Sequence, residues 1–254
     1  DLGRITADVN QTIESMDGAA FRINFMAHDQ DVARRDEIFK KRWGVAPSLA
    51  FGLDSDTRVT LSYFHQKEDN LIDYGIPFLL SGEELPISNY YGVANIDTEE
   101  QDIDIATVKI EHVFSDTLRL TNQTRYGIVD RYAIWSTPQN RGATGPEDAP
   151  CYPCTFENAA QAIRDGRFDE ALFQTAGPQG LGRDAEQTLF ANQTNLGVDF
   201  VTGSVEHNLV AGVEISREGN NRAGISIGGL QRLVNLYDPD PTLTRPTTLT
   251  RRPN

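Results

Sequence analysis

Between Trp43 and Gln66 the chain alternates with a period of two. Trp43, Val45, Pro47, Leu49, Phe51 and Leu53 fall on one parity, and Gly44, Ala46, Ser48, Ala50 and Gly52 on the other. Asp54-Ser55-Asp56 reverses the chain, and Val59, Leu61 and Tyr63 return against Arg58, Thr60 and Ser62. Side chains of a strand point alternately to its two faces, so this stretch is a β-hairpin with one apolar face and one polar or small face. The apolar face must meet either a second sheet or lipid.

Three further stretches repeat the pattern. Ile5, Ala7 and Val9 lead through a polar turn to Phe21, Ile23, Phe25 and Ala27. Ala106, Val108, Ile110, His112 and Phe114 turn at Ser115-Asp116-Thr117 into Leu118, Leu120, Tyr126 and Ile128. Leu196, Val198 and Phe200 turn at Thr202-Gly203-Ser204 into Leu209, Ala211, Val213 and Ile215. Between the hairpins lie segments that read as loops: the charged run 30–42, the Gly/Pro/acid-rich run 67–102, a long stretch of about 130–184, and everything after Glu218. Within the third, Phe156, Ala159, Ala160 and Ile163 have helical spacing and predict a short amphipathic helix.

Short turns thus alternate with long connections. A sandwich mixes connection lengths at both ends, and long structureless loops are uncommon in compact domains. Outer-membrane barrels instead put short turns on the periplasmic side and long loops outside. Strands of about ten residues also suit a tilted crossing of the hydrocarbon layer. His112, Phe114 and His207 fall on the apolar parity near the short turns, at the depth of an interfacial girdle. The expected fold is all-β, an antiparallel transmembrane β-barrel, partial, with about eight strands of a larger barrel. The alternative is a soluble or secreted β-sandwich binding module.

Composition narrows the function. A formal net charge of −14 and a pI near 4.7 argue against nucleic acid as a partner, since phosphate binding needs a basic surface. Mean hydropathy is −0.43 and no apolar run is long enough for a transmembrane helix. Alternating barrel strands escape such a measure. The opening DLGRITADVN has neither the basic nor the apolar region of a signal peptide.

Several phrases resemble the barrel region of TonB-dependent ferric-siderophore receptors, nearest their catecholate-type branch. These are GRITADVNQ, RWGVAPSLAFGLDSDTRVTLSYFHQ, DYGIP, LRLTNQTRYG and VTGSVEHNLVAGVEISRE. The resemblance implies a parent with an N-terminal plug, a TonB coupling box and a barrel of about 22 strands. This sequence shows no plug, coupling box or closing strand, so residues 1–254 are expected to be one partial outer-membrane barrel domain, an internal fragment with unpaired edges at 3–10 and 206–216. The resemblance implies a receptor in the Gram-negative outer membrane for a ferric siderophore. Its partners would be TonB, through the missing N-terminal region, and outer-membrane lipid and lipopolysaccharide. A related receptor for haem, cobalamin or a glycan is the nearby alternative.

Cargo of this kind is anionic and aromatic, so basic and aromatic loop residues are the candidate ligand surface: Arg34, Arg35, Tyr74, Phe78, Tyr90, Tyr91 and Trp135. The basic run to Lys40-Lys41-Arg42 could equally meet lipopolysaccharide phosphates or be solvated beside Asp36 and Glu37. Cys151-Tyr-Pro-Cys154 lacks the βαβ context of a redox motif and the further ligands of a zinc site, which leaves a small disulfide stapling an exposed loop. The four histidines have no ligand spacing, and no resident metal, cofactor or catalytic residue is expected. Arg22, Arg119, Arg125, Arg131, Lys109 and Glu111 share the polar parity and would line the lumen.

Overall fold

The computed structural model describes residues 1–79, 82–138, 147–149, 151–174, 182–228, 232–242 and 248–252. In chain order the elements are β1 (Leu2–Thr12), β2 (Ala20–Asp31), β3 (Phe39–Phe51), β4 (Thr57–Asn70), β5 (Thr98–Ser115) and β6 (Leu118–Ile134). Then come α1 (Phe156–Arg164), β7 (Leu172–Gln174), β8 (Gly182–Thr202), β9 (Val205–Gly228), β10 (Leu233–Asn235) and β11 (Thr248–Arg252). Nine strands form one sheet in the order β1-β2-β3-β4-β5-β6-β8-β9-β11, and β7 pairs with β10 in a two-stranded ribbon. Every pairing is antiparallel. No second large sheet faces the first among the described residues, so the sandwich has no partner layer.

The register carries one apolar row across the sheet. Directly opposed residues share a face, and Leu49 faces Leu61, which faces Val108. Leu120 likewise faces Leu196, which faces Ala211. Many of these side chains remain exposed, Trp43, Leu61, Tyr63, Tyr126, Phe190 and Ile215 among them. Exposed apolar surface on this scale marks a face built for a nonaqueous neighbour. The opposite parity carries Arg22, Lys109, Arg125 and Arg131.

Local chemistry explains the short turns. Gly52 has φ +68°, and a Cβ there would run into the Thr57 carbonyl, so the turn needs glycine. Ser55-Asp56-Thr57 and Ser115-Asp116-Thr117 share a turn device: Ser55 Oγ accepts from Thr57 N at 3.3 Å, and Ser115 Oγ from Thr117 N at 3.3 Å. Neighbouring turns are stitched together, with Leu53 N donating to Gly18 O and Val113 N to Asp56 O. Pro47 has no N–H, and the β3–β4 ladder passes from Val45–His65 to Ser48–Ser62 without pairing it.

The strands are longer than expected. β5, β6, β8 and β9 span 18, 17, 21 and 24 residues, where a tilted crossing needs only about ten. The added length lies at the end away from the short turns. Both faces are polar there, so alternation gives no signal. Residues expected in loops are strand for this reason: 67–70 in β4, 98–102 in β5, 130–134 in β6 and 182–184 in β8. Nearly half of the run 30–42 is strand, leaving only 32–38 as connection, no longer than the turn at 13–19. The chain after Glu218 continues β9 to Gly228. It later returns as β11, a ninth strand that covers the upper edge of β9 from Gly224 to Gly228.

Candidate functional site

Above the sheet, the described parts of the connections 71–97, 135–181 and 229–247 build a head with its own core. Tyr91, Ala159, Phe173, Val234 and Leu236 are all buried in one cluster. Phe173 stacks on Phe156 at 4.4 Å. Helix α1 forms where the spacing predicts it. Thr155 caps it by accepting from Asn158 N at 3.2 Å, and its small residues Ala159, Ala160 and Ala162 let it lie close on the core. Cys151 and Cys154 are joined in a disulfide just before the helix.

The first of these connections is the hub. Tyr91 Oη donates to Leu236 O at 2.7 Å, Asn89 Nδ2 to Tyr237 O at 2.8 Å, and Ala94 N to Pro241 O at 2.7 Å. Arg232 donates to Gly92 O and Thr242 O. At the centre lies the buried Asp97 carboxylate. It accepts from Tyr90 Oη at 2.8 Å, Val93 N at 2.9 Å and Ser136 Oγ at 2.7 Å, so one side chain ties its own loop to the loop after β6. Burial pushes the Asp97 carboxyl above its usual value against those three hydrogen bonds. Burial, then the charge of Asp97, pushes the Tyr90 phenol up as well, and burial lifts Tyr91 to about 12.

The sequence-derived candidates divide into three environments. Phe78 and Tyr74 are open to solvent, 84% and 52% exposed, and Arg34 is also exposed, at φ 65°. Arg35 is built in: its side chain is 7% exposed and donates to Asp73 Oδ1 and Ile87 O, both at 2.8 Å. Tyr90 and Tyr91, at 4% and 3% exposure, are interior packing of the head and present no open ring face. Trp135 is half-buried, with the Arg183 guanidinium 5.9 Å from its ring centre. The run Lys40-Lys41-Arg42 is split by strand alternation. Lys41 leans toward Asp29 at 3.8 Å on the outer face, while Lys40 and Arg42 take the other parity.

The polar face holds ion pairs within the wall: Arg22–Asp8 at 2.6 Å, Arg119–Asp199 at 2.9 Å, Lys109–Glu111 at 2.8 Å, and Arg131 with Glu99. His65 was expected at a strand end and is not at one. It sits within β4 on the outer face, 5.0 Å from Trp43 ring to ring, with Nδ1 2.9 Å from Asp104. Among the described residues no group of three or more His, Cys, Asp or Glu is arranged to hold a metal ion. Asp97, Asp73, Ser136 and Arg232 carry the head's architecture, yet nothing in their sequence setting distinguishes them from loop residues.

An exposed apolar row, a charged opposite face, short turns at one end and a packed head at the other form one wall of an open-ended barrel. No family model matches the sequence. The catecholate siderophore receptor Fiu of Escherichia coli K12 is 32% identical over 98% of this chain. Its crystal structure superposes with a TM-score of 0.77 at 28% identity, again over 98% of the chain. By sequence and fold, the chain matches a stretch of siderophore-receptor barrel wall. The siderophore receptor PiuA of Acinetobacter baumannii shares the fold, with a TM-score of 0.78 over 98% of the chain. The chain spans about a third of these proteins, 31% of the Fiu sequence and 35% of the PiuA structure. The sheet is therefore a partial barrel of the outer membrane.

Proposed function

We propose that this segment serves in an outer-membrane receptor that binds a ferric siderophore of the catecholate class outside the cell and admits it to the periplasm. The energy is relayed by TonB to a region outside these residues. The similarity to Fiu over nearly the whole chain, in sequence and fold together, supports this reading most. The segment performs no covalent chemistry. Its outer apolar row meets lipid, and the rim carrying Lys41, Lys67 and neighbouring acids meets lipopolysaccharide headgroups. The charged face looks onto the lumen.

Within the head, the cargo surface is carried by Phe78, Tyr74 and Arg34. Their faces are open, whereas Tyr90, Tyr91 and Arg35 are committed to holding the loops. An open aromatic ring stacks on a catechol, and an exposed guanidinium attracts an anionic complex. Two measurements test the reading with the full-length receptor. Cells lacking the gene should lose growth on an iron-chelated medium supplied with a ferric catecholate. Fluorescence titration of the purified receptor should show a weaker Kd, by about two- to tenfold, for Phe78→Ala, the range expected for one aromatic stacking contact of ~0.5–1.5 kcal/mol. Unchanged growth, with no quenching by ferric catecholate, would sink the proposal.

A further inference from the structure

The basic run at the start of β3 is split by the sheet, and its inward half has no partner within the structure. Arg22, Lys109, Arg119 and Arg131 of the same face each hold an acid. Among the described residues Lys40 and Arg42 hold none, and the Arg42 Nε–H is buried without an acceptor. The register shows why. On one side Arg42 stands opposite His28, which stands opposite Arg4, so no acid lies on that flank of its row. On the other side it stands opposite Glu68. That carboxylate is engaged along its own strand, accepting from Gln66 Nε2 at 2.6 Å and Asn70 Nδ2 at 3.1 Å.

Both side chains line a cavity of about 470 Å³. Its wall is the inward face of β3 and β4 with the first residues of β5. Its roof comes from two connections, through Ile38 of the one and Leu71 to Asp73 of the other. The other acids at its edge are already matched. Asp73 accepts from Arg35 Nη2 at 2.8 Å and from Gly75 N at 2.7 Å, and Glu99 is held by Arg131. A guanidinium and an ammonium are thus left uncompensated beside a space of small-molecule size. A half-buried cation without a counter-ion gains from any ligand that brings one.

We infer that Lys40 and Arg42 form an inner anion site, which holds one catecholate arm of the cargo beneath the open surface of the head. The inference rests on the function proposed above. Two observations select the cargo over an acid of the same polypeptide. The connections that roof the cavity are those that carry Arg34, Tyr74 and Phe78, and Tyr74 follows Asp73 directly, so cargo on that surface has this cavity as its neighbour. The donors also suit it. A catecholate presents two adjacent oxygens in one plane, which the fork of a guanidinium matches, with the ammonium beside it. The apolar edge of the ring then meets Ile38 and Leu71.

The test uses the full-length receptor, with the trianionic tris-catecholate complex of ferric iron as the probe. Lys40→Gln and Arg42→Gln together remove both charges and stay polar. They should weaken Kd by about tenfold or more in fluorescence titration. The binding that remains should depend less on salt, because two charges no longer take part. Arg42→Lys, with Lys40 intact, should keep most of the affinity. A native Kd in the double variant would overturn the inference, as would a weaker Kd with the native salt dependence. A native Kd with a lower unfolding temperature would assign both cations to an acid elsewhere in the polypeptide instead. Labelling of the native receptor requires no variant to fold. Brief acetylation in outer membranes should modify Lys40, and the probe should protect it by about fivefold or more while Lys67 on the outer face reacts as before. Lys40 that reacts equally with and without the probe, or never reacts, would overturn the inference. A native receptor that does not bind the probe at all would sink the proposed function itself, a result distinguishable from these.

Discussion

The wall and the head solve the problem of burial in opposite ways. The nine-stranded sheet is held by its ladders and has almost no interior. Its apolar side chains sit exposed in rows, and the buried hydrophobic clusters lie in or beside the head. The head has little regular structure, yet it encloses Phe173, Leu236 and Ala159 completely and ties two of its loops together at the buried Asp97. The wall therefore depends on what covers its apolar and its charged face. The head depends on itself. A substitution should accordingly act either on membrane assembly or on loop order, and seldom on both.

The sharpest separation is expected from Phe173→Ala. Removing a fully buried aromatic costs about 3–5 kcal/mol where the site cannot collapse. Hydrogen exchange should show the amides of α1 and β7 losing protection while those of β3 and β4 keep theirs. If the wall loosened equally, the two regions would be one cooperative unit. Leu61→Arg is the converse. A cation on the lipid face of a barrel costs about 2–4 kcal/mol at the midplane. The full-length protein should reach the outer membrane in reduced amount, with the head of the assembled fraction unchanged in exchange.

A finer comparison lies within the head. Asp97→Ala strands the Ser136 hydroxyl and the Val93 N–H, and leaves the Tyr90 hydroxyl with Ile72 O as its one acceptor. Each buried group left unpaired costs roughly 1–3 kcal/mol, so protease nicking at 71–97 should accelerate. Asp97→Asn should be far milder, since its oxygen can accept from Tyr90 and Val93 while its amide donates to Ser136.

The smallest effect is one of pH. The Asp97 carboxyl is raised in the folded head above its ordinary 3.8. The folded state therefore binds more protons than the unfolded one between those two values, and head stability falls as pH rises through that window. Acidification from neutral pH into that window should raise the protection factor of the Val93 amide, its exchange rate referred to the intrinsic rate at the same pH, in the native receptor and leave that of the Asp97→Asn receptor unmoved. Asp165 and Asp240, whose values are lowered, act below 3.8 and with the opposite sign. Equal pH responses from the native and Asp97→Asn receptors would show that another group governs the head.

The contrast also explains what could be read from the chain. The lower parts of β1 to β6, β8 and β9 were legible because an apolar face set against a polar one imposes a period of two on every strand. Leu49, Leu61 and Val108 declare their face without reference to one another. Helix α1 was legible for a similar reason, since Phe156, Ala159, Ala160 and Ile163 repeat on one side. The upper parts of the strands, such as 98–105 and 216–228, were not, because water on both faces erases the period. The head's lock was invisible for another reason. Asn89 meets Tyr237 and Tyr91 meets Leu236 across 148 and 145 residues, and no local pattern marks either end of such a contact. The aromatic content of the loops was noticed, but composition cannot separate Phe78, which is open, from Tyr90, which is enclosed.

The long overhang of β8 and β9 has one more consequence. The head stands on a paired ribbon whose side chains alternate faces, so the height of that ribbon can change only in even steps. A single residue inserted above Phe190, matched by one above Ile215, would leave the crossing intact and turn every side chain above it to the opposite face. Asp184 would then leave the face it shares with Tyr132 of β6. Variation in this tower should therefore come as pairs of residues. Single insertions should be confined to 203–204 and to the loops of the head, where no ladder carries the error upward.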